Sequence, residues 1–154
     1  MNIFVLDKDP AKAAEYLCDK HVVKMVLESA QILCSVSHLR GIEAPYRLTH
    51  KKHPVVIWSN SALGNYSWLI THAFAICNEY QVRYGKIHKS KRVIEWCKEY
   101  GGKPRVDVLT KFAQCMPNEY KGPDAVEAYR KYYREEKSHI VSWKDGRIPY
   151  WWRI

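Results

Sequence analysis

His21, Lys24 and Glu28 stand at i, i+3 and i+7 in the run Cys18-Asp19-Lys20-His21-Val22-Val23-Lys24-Met25-Val26-Leu27-Glu28. On a helix this spacing stacks an imidazole, an amine and a carboxylate on one face over two turns. Such a set can supply an acid, a base and a nucleophile to one substrate. The same residues also fit a plainer description. Val22, Val23, Met25, Val26, Leu27, Ile32 and Leu33 form an apolar stripe that buries the helix by itself, and polar groups beside such a stripe are often its solvated margin. Lys24 and Glu28 also form an i,i+4 pair in the less favourable Lys-first order, worth roughly 0.2–0.5 kcal/mol.

The elements that must position these groups are helical. Asn2 to Leu6 is short and β-like with no second alternating segment to pair with, which predicts an extended arm. Asp9-Pro10 reads as an N-cap followed by proline at the first helical position, opening a short helix to about Leu17. A longer helix is predicted from Asp19 to about Leu39, and Gly41 to Pro54 as a loop. From Val55 to Tyr84 the apolar spacing keeps a helical period without interior proline, and Gly64 is its weak link. Further helices are predicted from about Lys89 to Glu99, ended by Gly101-Gly102, and from about Pro123 to Lys137. The expected fold is all-α: a compact single-domain helical bundle over residues 1–154, with an extended N-terminal arm and long ordered loops.

Composition narrows the function. The apolar share of 47% suits a folded globule, and no apolar run reads as long enough to cross a bilayer, so no membrane partner is expected. The first residues lack a signal-peptide pattern, which points to the cytoplasm, that of a host cell if the chain is viral. The five cysteines, at 18, 34, 77, 97 and 115, contain no Cys-x-x-Cys pair and read as reduced thiols. Cys18-x-x-His21 and His50-x-x-His53 lack the tight paired spacing of a zinc site, so neither a metal nor another cofactor is expected.

The net charge is +9, and it lies in the second half of the chain. Residues 1–80 hold 8 basic and 7 acidic side chains, against 17 and 9 in residues 81–154. Arg83, Lys86, Lys89, Lys91 and Arg92 fall with His88 in a ten-residue run without an acid, a pattern that neutralises phosphates and steers a polyanion. Such a run also serves simply as a solvated surface. Arg83 lies four residues after Glu79, the favourable order for an ion pair, and His72 reads as a satisfied core histidine. Tyr129 to Arg134 interleaves aromatic and basic groups, and the tail adds Tyr150, Trp151, Trp152 and Arg153. Rings stack on unpaired bases while guanidiniums hold phosphates, so Arg130, Arg134 and Trp152 are candidate DNA contacts. The alternative is that these rings cap a small core, the role Trp151 fits better.

Two groups of residues carry a family resemblance: Asp19-x-His21 followed by Glu28 within Lys24-x-x-x-Glu28-x-x-Gln31-Ile32-Leu33, and His53-Pro54-x-x-x-Trp58 leading into a long helix. Over residues 1–33 and 53–84 the chain resembles the pyrimidine-dimer DNA glycosylases of the phage endonuclease V type. The resemblance implies a small basic all-α repair enzyme whose N-terminal arm runs into the helix that carries a catalytic glutamate. Glu28 matches that glutamate, which stabilises the sugar cation and handles protons, and His21 matches a residue near the sugar-phosphate. The family's nucleophile is the α-amine of a small residue exposed when Met1 is removed, whereas here residue 2 is Asn, before which Met1 is usually retained. Three routes stay open: the Met1 amine, Lys24 with a pKa lowered by its surroundings, or no covalent step. The expected activity is a DNA-repair or DNA-modification glycosylase with AP-lyase chemistry through a Schiff base. Its substrate would be a damaged, dimer-like pyrimidine nucleotide in duplex DNA, and the enzyme a monomer. The alternative is a nucleic-acid-binding protein without catalysis. An enzyme of nucleotide metabolism would need a phosphate loop or acidic metal cluster, and the sequence has neither.

Overall fold

A computed structural model describes residues 1–153, which contain six α-helices, two short 3-10 turns and no strand. Helix α1 (Pro10–Tyr16) starts where Asp9 accepts a hydrogen bond from the Ala11 N–H and Pro10 takes the first turn. Helix α2 (Asp19–Leu39) carries the His21, Lys24 and Glu28 run. It packs on α3 (Pro54–Ser61), α4 (Leu63–Tyr84) and α5 (Lys91–Tyr100), and α1 packs on α4. Helix α6 (Ala125–Glu136) is capped by Asp124, which accepts from the Val126 and Glu127 N–H groups. One continuous core runs from Ile3 in the arm through Leu33, Leu69 and Ile94 to Tyr133 and Trp151. Each fully buried aliphatic side chain in it contributes roughly 1.5–3 kcal/mol.

The predicted helix from Val55 to Tyr84 is two helices. Ala62 leaves the helical region at φ −153°, ψ 148°, and the chain turns there. The cause is the extended segment that follows α5. The Leu63 N–H donates to the Val106 carbonyl (2.7 Å), and Asn65 exchanges hydrogen bonds with Thr110 (both 2.8 Å). Gly64 allows this approach, since a Cβ there would lie 2.3 Å from the Val108 oxygen. Helical periodicity cannot report a distant backbone segment that takes over the first N–H groups of a new helix.

The arm also differs from a plain extended segment. Ile3 to Leu6 are buried, and Phe4 takes a left-handed φ of 45° that puts its ring against His21 at a centroid distance of 4.4 Å. Helix α2 is itself long and apolar enough, by length and composition, to cross a membrane, which corrects the reading that no such run exists. Thirteen of its residues are buried in the protein, so the core accounts for that composition.

Candidate active site

Glu28 projects from the middle of α2 with a side chain only 13% exposed, and both of its oxygens are engaged. Oε1 lies 3.5 Å from Lys24 Nζ, and Oε2 accepts the backbone N–H of Asn2 at 3.3 Å. The Asn2 side chain fixes that backbone. Its Oδ1 accepts from the Ile3 and Phe4 N–H groups (2.8 and 3.3 Å), and its Nδ2 donates to the Cys115 carbonyl (2.7 Å). The start of the chain is thereby clamped between α2 and the segment that precedes α6. Met1 is next to this clamp and packs partly buried against the core.

His53 completes the cluster. It N-caps α3, its Nδ1 accepting from the Val55 N–H at 3.2 Å. The helix it starts packs on α2, which carries Glu28. Partial burial, then the positive chain start and His50, push the His53 imidazole below its usual pKa, while Glu28 opposes them.

Of the residues singled out from the sequence, Glu28, Lys24 and the chain start come together. His21 does not join them as an accessible group. It is 6% exposed and stacked on Phe4. Tyr133 explains its state: the Cys18 N–H donates to the Tyr133 hydroxyl oxygen (3.0 Å), leaving the phenolic proton to donate to His21 Nδ1 (2.6 Å). Burial, assisted by Lys137 and Lys24, holds the imidazole down to about 4, so it is neutral at physiological pH. Lys24, in contrast, has a side chain that is 66% exposed, and nothing buries its amine.

The candidate DNA contacts divide in the same way. Arg83 is buried, against the reading that it faces DNA. Its guanidinium donates to Glu79, Asp19 and the carbonyls of Leu17 and Glu15, which uses the whole fork within the protein. Arg130 is buried too, and bonds the Leu6 carbonyl (2.9 Å) and Asp7 (3.2 Å) beneath Tyr150. Both arginines are internal clamps because a planar guanidinium can satisfy several carbonyls and carboxylates at once. Arg134 is half-buried and donates to the Trp151 carbonyl, and Trp152 packs edge-on against Trp143, Tyr133 and Trp151. Lys86, Lys89 and Arg92 are exposed, and Lys91 is half-buried. His88 ties this run to the site helix, its Nε2–H donating to the Val23 carbonyl at 3.0 Å, one residue before Lys24.

Sequence reasoning gave His53 no role of its own, although His-Pro ahead of an apolar run is a readable helix start. Arg47, Lys51 and Lys52 were read only as basic members of the Gly41–Pro54 loop, although that loop leads into His53. Nothing local in the sequence could have joined Asn2 to Cys115. Beside Glu28 on α2, Leu27 and Gln31 line a pocket of about 490 Å³ with Pro45, Tyr46, Arg47 and Thr49. The described residues contain no cluster of three His, Cys, Asp or Glu side chains able to hold a metal.

A carboxylate held between two nitrogens, with a pocket one turn away that Arg47 lines and a basic run tied to α2 through His88, suits chemistry on an anionic sugar-phosphate chain. The family model for pyrimidine dimer DNA glycosylases matches residues 1–93, which span the arm, α1 to α4 and the start of α5. No curated protein and no solved structure matches the chain. The chain belongs to the pyrimidine dimer DNA glycosylase family, a DNA-repair glycosylase whose partner is DNA.

Proposed function

We propose that this glycosylase is also an AP lyase, acting through a Schiff base on a damaged, dimer-like pyrimidine nucleotide in duplex DNA. The observation that carries the reading is the double engagement of Glu28, with the Asn2 nitrogen on one oxygen and the Lys24 amine on the other. Extruding a nucleotide costs a few kcal/mol and is easiest at a lesion. The pocket lined by Leu27, Gln31 and Tyr46 is of a size to receive an extruded base. Lys86, Lys89, Lys91 and Arg92, together with Arg47, Lys51 and Lys52 of the loop before α3, hold the phosphates.

The amine lone pair attacks C1′, and the bond from C1′ to the pyrimidine breaks with its electron pair leaving on the base, which takes up a proton. The new ammonium gives a proton to the Glu28 carboxylate, and the ring opens at O4′, which is protonated as the C1′ iminium forms. Loss of the C2′ proton to a carboxylate then expels the 3′ phosphate and cuts the strand. A nucleophilic amine must be unprotonated, and an α-amine, with an ordinary pKa near 8, meets that need better than a lysine near 10.4. The chain-start amine is therefore the first candidate and Lys24, two-thirds exposed, the second.

Borohydride reduction during reaction with dimer-containing and abasic duplexes tests the reading. The wild type is expected to form a covalent adduct, and peptide mass spectrometry places it on the amine at the chain start. Glu28→Gln is expected to lower base release by on the order of 10²-fold or more while DNA binding persists. Absence of a trapped adduct refutes the lyase step, and an adduct on Lys24 reassigns the nucleophile.

A further inference from the structure

An N-cap is ordinarily Ser, Thr, Asp or Asn, and this protein uses aspartate at the caps of α1 and α6. At the start of α3 it uses His53. The imidazole caps with one nitrogen and has a second to spare, which a serine or aspartate lacks. Because Nδ1 accepts the Val55 N–H, a neutral ring must carry its proton on Nε2. That leaves one N–H donor in a ring fixed at the start of α3, a helix that packs on α2.

We propose that His53 is a catalytic residue of the glycosylase site, an uncharged Nε2–H donor to an oxygen of the nucleotide held against Glu28. The inference rests on the reading of Glu28 as the glycosylase centre. An uncharged donor suits this place because a second full positive charge beside the chain start would compete with the amine for Glu28. The charged groups close enough to act on His53 are the chain-start amine of the arm, Glu28 of α2 and His50 of its own loop. The arm and His50 disfavour a charged ring and Glu28 favours it, with partial burial the largest influence against charge. Protonation would also abolish the cap, since an imidazolium cannot accept the Val55 N–H.

The test compares two variants that both preserve a cap acceptor. His53→Ser removes the ring donor, whereas His53→Asn caps with its carbonyl and retains an N–H donor. Single-turnover base release is expected to fall on the order of 10²-fold for His53→Ser, with an unchanged thermal midpoint, and to recover in part for His53→Asn. The wild-type rate is expected to fall in acid as the ring protonates, and that limb is absent from the His53→Asn profile. Equal rates and equal pH profiles for wild type and His53→Ser would make the residue a cap alone and overturn the proposal. Should the wild type release no base from any lesion, the glycosylase reading fails separately. His53 is then judged by the ¹⁵N resonance of Nε2–H on binding a duplex with a tetrahydrofuran abasic analogue: a shift supports direct contact, and none refutes it.

Discussion

Periodicity correctly places His21, Lys24 and Glu28 on one face of α2, yet it cannot say how deep each side chain lies. Depth comes from Phe4, which the arm lays over His21, and from Tyr133, which reaches it from α6. The Tyr133 hydroxyl serves two buried groups, so Tyr133→Phe is expected to cost about 1–3 kcal/mol by leaving the Cys18 N–H and His21 Nδ1 unpartnered. Urea unfolding at neutral pH checks this, and a change below 0.5 kcal/mol would mean that other partners take over. Glu28 could be picked out because its spacing puts it on one face with His21 and Lys24 beside an apolar stripe. Arg83 and Arg130 were misread for a reason of the same kind: composition counts a guanidinium as surface charge, while the fold spends both on carbonyls and carboxylates inside.

Helices α1, α2, α5 and α6 were legible within a few residues because their caps and apolar periods are local properties. The break at Ala62 was not, since it depends on Val106 to Thr110 arriving from more than forty residues away. Gly64→Ala should expose this dependence. Its methyl group would meet the Val108 backbone, and either the 106–110 segment moves or the α3–α4 corner strains, at a cost of roughly 1–3 kcal/mol. Gly122→Ala is the control, because a Cβ there has no atom within 4 Å. Equal thermal midpoints for the two variants would contradict the close approach.

Acid sensitivity belongs to the molecule as a whole. His21 in α2 and His72 in α4 are both held down to about 4, chiefly by burial, while the unfolded chain titrates near 6.5. The sign follows from proton uptake. Between these values the unfolded state binds a proton at each site that the folded state refuses, so the contribution is complete above about pH 6.5 and is lost as the pH falls toward 4. Two such sites give a slope approaching about 2.7 kcal/mol per pH unit near pH 5. Urea unfolding between pH 7 and 4.5 measures it, and His72→Asn should halve the histidine share of that slope whatever it does to absolute stability. A flat profile across this window would contradict two buried neutral imidazoles.

The hydrogen bond from Asn2 to Cys115 joins residues 113 positions apart, and Glu28 meets Asn2 across 26 more. Contacts of such sequence separation are expensive in chain entropy and are expected late in folding. A chain still emerging from the ribosome, or clipped ahead of Cys115, holds α2 and its glutamate but lacks the carbonyl that fixes the Asn2 side chain beside it. Competence is thus coupled to completion: a glycosylase that acts on DNA acquires its finished site only after its own fold has closed.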